Sequence, residues 1–132
     1  MHLQNIYKYL FLISLLQVFS TNILAEDKYG ILYSKCINEN GYINNTSVHV
    51  CSKTVSYAIN KEINKLYDLL YIKMSKVSIE DTKKFENSQK NWLQYKKTHC
   101  ELAGSYVGTP MYSYCPMLFN KSRLKELQEL LN

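Results

Sequence analysis

From Thr46 onward the apolar positions Cys51, Val55, Ile59, Ile63, Leu66, Leu70 and Met74 recur at steps of four and three, which predicts one stripe of a long helix. Lys53, Lys61, Glu62, Lys65 and Asp68 fall mostly off that stripe. Thr46, after the turn-like Asn44-Asn45, is the expected N-cap. Ser78 is the expected N-cap of a second helix, with Glu80 and Asp81 placing negative charge at its positive end. This helix should run to about Leu102, before Gly104, Gly108 and Pro110 break it. A loop with Tyr106, Tyr112 and Tyr114 follows, and Pro116 fits the first turn of a third helix whose stripe is Leu124, Leu127 and Leu131. The stretch Glu26 to Asn45 has Tyr29-Gly30, Gly41-Tyr42 and the polar run Asn38-Glu39-Asn40-Gly41, and is expected to be irregular. The link from Ser75 to Val77 is too short for anything but an antiparallel hairpin. The expected class is therefore all-α: a small bundle of three helices built on one long helical hairpin.

Ahead of these elements, residues 1–25 read as a secretory signal peptide. Lys8 and the terminal amine give the positive start, Leu10 to Phe19 the apolar core, and Ile23-Leu24-Ala25 the small-residue end. Cleavage after Ala25 would leave one helical domain, residues 26–132, in the periplasm or outside the cell. The competing reading, an uncleaved membrane anchor, meets an apolar core well short of the roughly 20 residues that span a bilayer. No Cys follows the small residues, so no lipid anchor is indicated.

Export changes the reading of Cys36, Cys51, Cys100 and Cys115, because an even count in a small exported domain points to disulfides. Counted from Lys76, Cys51 lies 25 residues back and Cys100 lies 24 ahead, so both arrive at the open end of the hairpin. Cys36 and Cys115 are each one short segment away. Clustering permits all three connectivities; the place of Cys51 on the inward stripe, where the third helix must pack, favours Cys51–Cys115 with Cys36–Cys100. A zinc site drawn from His49, His99 and the cysteines lacks a Cys-x-x-Cys pair. His99 and Cys100, as helix neighbours, point about 100° apart and do not make a thiol–base couple.

Composition adds exclusions more than assignments. Only four Gly and two Pro argue against a many-turned β fold, while 46% apolar and 20% charged residues exclude a disordered chain. Residues 26–132 carry 15 basic and 11 acidic side chains, a net +4, with the lysines spread along the chain, so no nucleic-acid partner is implied. There is no Ser-His-Asp set, no Gly-rich phosphate loop and no metal-ligand cluster, and the Glu80-Asp81 pair is explained by a helix start. A non-enzymatic binding protein without cofactor or metal is the expectation.

Ile63-Asn64-Lys65-Leu66-Tyr67 resembles a Leu-Asn-x-x-Tyr signature, and Gln89-Lys90-Asn91-Trp92-Leu93-Gln94-Tyr95 with Cys100 resembles Gln-x-x-Trp-x-x-Tyr…Cys. Cys115, Leu118, Arg123 and Leu127 fit a closing Cys…Leu…Arg…Leu pattern, and Cys36 and Cys51 match two leading cysteines. Together these are similar to the lysozyme-inhibitor LprI-type N-terminal domain family. Lys96-Lys97 replaces the usual Arg-Asp, Ala103-Gly104 the usual Gly-Gly, and Asn120 the usual Thr. The resemblance implies a small exported helical domain, some of whose relatives bind and inhibit lysozyme. The implied partner is a lysozyme or another wall-active protein. An envelope structural or immunity-type protein with no lysozyme target is the alternative, and a net positive charge disfavours a strongly basic target.

Most motif residues have a structural reading. Trp92 and Tyr95, with Ile63 and Tyr67, are spaced to meet across the hairpin as core, which would bury the Trp92 ring between the first two helices. Gln89 and Asn64 can bond each other or cap loop backbone, and Arg123 can form a surface pair with Glu101 or Glu126. Asn44-Asn45-Thr46 and Asn120-Lys121-Ser122 match the glycosylation pattern, which matters only in a glycosylating host. The segment Ala103 to Tyr114, with Tyr106, Met111, Tyr112 and Tyr114 among Gly and Ser, has the composition of a recognition loop and is the candidate partner site; the competing reading is that the same tyrosines cover the open end of a small helical domain.

Overall fold

The computed structural model describes residues 28–132; the expected signal peptide lies outside the described residues. Among the described residues four helices, not three, follow one another: α1 (Lys28–Glu39), α2 (Asn45–Ser75), α3 (Ile79–Tyr106) and α4 (Met111–Leu131). The added helix is α1, where an irregular lead was expected. Tyr29, Tyr33 and Ile37 recur every four residues and pack inward, Tyr29 into the main core. This short stripe outweighs the helix-weakening Gly30. α1 stops at Glu39 and the chain turns at Gly41, whose φ of +87° suits glycine.

The N-cap of α2 is Asn44 rather than Thr46. The Asn44 side chain accepts from the Ser47 N–H and the Ser47 hydroxyl accepts from the Asn44 N–H, both at 2.9 Å, a reciprocal box that Thr46 cannot make. The α2 stripe packs as its spacing predicts: Cys51, Val55, Ile59, Ile63 and Leu70 are buried, with Leu66 and Met74 packed at the margin. A tight turn closed by the Val77 and Ser78 N–H groups on the Met74 carbonyl leads to Ser78, which caps α3 as expected.

α3 runs one turn further than expected, to Tyr106, because Gly104 sits inside the helix rather than ending it. A β-carbon at Gly104 would run into the Tyr112 ring, so only glycine leaves room for α4 to approach α3 here. Consequently the expected loop from Ala103 to Tyr114 shrinks to residues 107–110. α4 begins at Met111 after Pro110, whose φ of −56° is already helical; Pro116, expected in the first turn, falls in the second.

α4 packs most extensively on α2, with α3 along its other side and α1 on the N-terminal part of α2. The core lies in this seam: Val55, Ile59, Ile63 and Leu70 of α2, Phe85 of α3, and Met117, Leu124 and Leu127 of α4. The disulfides correct the expected pairing. They are Cys36–Cys51 and Cys100–Cys115, with Cα atoms 5.6 and 5.5 Å apart. With α1 a helix folding back on α2, Cys36 lands opposite Cys51, and the short α3–α4 loop does the same for Cys100 and Cys115. Each bridge closes a 15-residue separation and joins consecutive helices. A loop of that length is worth about 3 kcal/mol through the entropy removed from the unfolded chain.

Candidate partner-binding face

Two arrangements of motif residues stand out, one internal and one external. The internal one is a polar seam between α3 and α4. Arg123 is only 6% exposed. It donates from Nε to the Gln89 side-chain amide oxygen at 3.0 Å, from Nη1 to Glu126 at 2.7 Å and from Nη2 to the Ser88 hydroxyl at 3.3 Å. The Glu126 partner is as expected, but the pair is not a surface pair, and Gln89 serves Arg123 rather than Asn64, which is exposed. Asn120, 1% exposed, donates to Ser56 of α2 at 2.6 Å and accepts from Lys96 at 2.9 Å.

The indole of Trp92 sits between these two sets, with the Lys96 ammonium 4.2 Å and the Arg123 guanidinium carbon 5.7 Å from its ring centre. Trp92 is half-buried beside the core rather than enclosed. Burial pushes the Lys96 ammonium below the usual lysine pKa. Lys96 and Asn120, both departures from the family pattern, thus bond to each other. Ile63 is buried and Tyr67 stacks on Phe85, as expected for core residues. Tyr95 does not: it is mostly exposed, and with His99 and Phe119 it forms an aromatic cluster on the α3–α4 surface.

The external arrangement is the end of the bundle carrying both disulfides. Here the α1–α2 and α3–α4 loops meet, joined by the Asn45 amide donating to the Thr109 hydroxyl. Tyr42 and Ile43 from one loop are 71% and 76% exposed, and Tyr106 and Val107 at the other are 85% and 75% exposed. Tyr112 is half-exposed, its hydroxyl hydrogen-bonded with that of Ser105 and its ring seated on Gly104. Of the four residues expected to bind a partner, Tyr106 and Tyr112 are therefore on this surface. Met111 is half-buried, and Tyr114 turns inward against Tyr33.

Tyr42 and Ile43 were not expected to contribute. The signal that could have found them is charge: no Asp, Glu, Lys or Arg occurs from Asn40 to Ser52 or from Leu102 to Asn120. Both intervals reach this one end, leaving two disulfide-tied, uncharged loops side by side. Charge depletion with exposed aromatic residues is the compositional mark of an interface core. Among the described residues no group of His, Cys, Asp and Glu could hold a metal ion, and no helix is long and apolar enough to cross a membrane.

The family model for lysozyme inhibitor LprI matches residues 36–127, from the first cysteine to the last buried leucine of α4. The chain belongs to the lysozyme inhibitor LprI family. That match takes in both disulfides, the α3–α4 polar seam and both loops of the uncharged end. No curated relative and no solved structure matches the chain significantly. Within the matched residues, Arg123 bonds Gln89 and Ser88 of α3 and Glu126 of α4, and Trp92 lies against Lys96 and Arg123.

Proposed function

We propose that this LprI-family protein is an exported, non-catalytic binding protein that acts on a lysozyme or another wall-cleaving enzyme by protein–protein contact through its disulfide-tied end. The observation that carries the reading is the charge-free pair of loops presenting Tyr42, Ile43, Tyr106 and Tyr112. Tyrosine brings large amphipathic area with few rotatable bonds, and the two bridges hold the loops, which lowers the ordering cost of association. The charged residues nearest the first loop, Lys35 and Glu39 in the last turns of α1, pair with each other. A basic target therefore meets no like charge on the two loops themselves, and the remaining field is screened by salt.

The experiment is a wall-turbidity assay with a panel of lysozyme types, paired with direct binding measurements. Tyr42→Ser, Tyr106→Ser and Tyr112→Ser together should weaken binding by more than about 2 kcal/mol while keeping the helical content, since Tyr42 and Tyr106 are largely exposed and Tyr112 is half-exposed. A folded triple variant with unchanged affinity refutes the site. Failure of the unaltered protein to bind any member of the panel refutes the lysozyme reading and points to an envelope role with another partner.

A further inference from the structure

The opposite end of the molecule has a different chemistry. At the α2–α3 turn, Val77 and Ile79 are 84% and 73% exposed, and Leu69 and Ile72, three residues apart on one side of α2, are also exposed. Val77 stands just before the Ser78 N-cap, where an apolar residue ordinarily packs on the fifth residue after it. That residue is the threonine Thr82, and Val77 keeps no such partner. The turn itself is fixed, both the Val77 and Ser78 N–H groups bonding to Met74.

Charge surrounds this apolar turn, in contrast to the other end. Four lysines and two acids lie between Lys73 and Lys84. Both acids, Glu80 and Asp81, are held by Lys84 at 2.7 and 3.7 Å, and Lys73 donates to the Leu131 carbonyl. Lys76 and Lys83 form no ion pair among the described residues, which leaves two cations flanking the exposed aliphatic side chains.

We infer that the α2–α3 hairpin tip seats on an anionic lipid bilayer, with Val77, Ile79 and Ile72 entering the headgroup region and Lys76 and Lys83 meeting lipid phosphates. Charge complementarity selects this occupant: aliphatic groups flanked by two lysines, Lys76 and Lys83, fit an interface that is apolar beneath and negative above. Twenty-four residues of α2 separate Cys51 from Ser75, so such a seat would hold the uncharged end roughly 36 Å from the tip. The inference is independent of the lysozyme reading.

The test is co-sedimentation of the chain from Glu26 to Asn132, which holds all four helices and both bridges, with vesicles of phosphatidylcholine alone or mixed equally with phosphatidylglycerol. Partition should be about tenfold or more higher on the anionic vesicles and fall as salt is raised. Val77→Asp with Ile79→Asp should lower it about tenfold, and Lys76→Ser with Lys83→Ser should lower it and flatten the salt dependence. Helical content by circular dichroism should not change. Tyr106→Ser with Tyr112→Ser, at the far end, should leave partition unaltered. Equal partition on neutral vesicles, no partition on anionic ones, tip variants that partition like the unaltered chain, or an equal loss from the far-end pair would each overturn the inference.

Discussion

Replacing Arg123 by Met tests whether the polar seam is a framework feature. Met keeps much of the aliphatic stem that fills the α3–α4 interface and removes three donor groups, those to Gln89, Glu126 and Ser88. A hydrogen bond from a charged group contributes about 1.5–3 kcal/mol when both partners are shielded. Here the guanidinium is buried, while the Glu126 side chain is 49% exposed and can return to water when its partner is lost. The bond to Ser88 is long and at the surface, so most of the cost falls on the Gln89 bond, partly offset by no longer burying a charge. The expected loss is about 2 kcal/mol. Arg123→Ala, which also removes the aliphatic stem of a nearly fully buried side chain, should lose about 3–4 kcal/mol. Glu126→Gln should lose less than about 1 kcal/mol. Urea unfolding with disulfides intact measures all three, and the midpoint should shift without a change in slope. If Glu126→Gln cost as much as Arg123→Met, or Arg123→Met lay within about 0.5 kcal/mol of the unaltered protein, the residue would be an ordinary surface ion-pair partner and the seam argument would fail.

Asn120→Ala should destabilise by about 2–3 kcal/mol, because it strips the Ser56 hydroxyl and the Lys96 ammonium of their shared partner; in a double-mutant cycle with Lys96→Met the two losses should be less than additive. Gly104→Ala should dislodge the Tyr112 ring, detectable as altered Tyr112 resonances and lost contact with Ser105, at a cost of about 1–3 kcal/mol; an unmoved ring would show the close approach to be wrong. Stability should also depend on acid through Glu62, whose carboxyl is held below its usual pKa chiefly by the Lys28 hydrogen bond. A depressed carboxyl stabilises above its unfolded value of 4.5 and loses that contribution as pH falls through the folded value, so Glu62→Gln should flatten the acid limb. Lys28 is well exposed and Glu62 partly so, which keeps the effect under about 0.5 kcal/mol, read as a difference in unfolding midpoint between pH 6 and pH 3.

The α2 stripe was readable because a long helix buried along one side repeats its apolar residues often enough to leave no other period. α1 offered only three such positions, interrupted by Gly30, and its burial depends on α2 and α4 rather than on its own pattern. That omission carried through to the cysteines. Rise per residue fixes how far along an axis a residue lies, not which neighbour it faces, and with the lead taken as irregular Cys36 had no direction. Tyr95 failed for a related reason. Three and four residues after Trp92 are equally plausible inward positions, and the α3 line runs through Phe85, Gln89, Trp92, Lys96, Cys100 and Gly104, so Lys96 takes the inward place and Tyr95 the outward one. Polar and charged residues on that line hid it from a hydrophobic pattern.

The same line explains how the two departures at Lys96 and Asn120 are accommodated. A lysine turned into a helix seam is costly unless its ammonium is received, and a fully buried carboxamide is costly unless both its ends are bonded. Asn120 answers both demands at once: its oxygen accepts from Lys96 and its nitrogen donates to Ser56, which ties α3, α4 and α2 through one side chain. Trp92, packed against the core, completes the arrangement by offering its face to the same ammonium. The seam therefore has no need of the aspartate that usually follows the motif arginine, and Lys97, in its place, is exposed. Held this way, α3 and α4 reach the disulfide end in fixed register, which is what sets Tyr112 over Gly104 and leaves Tyr106 standing clear at the rim of the uncharged face.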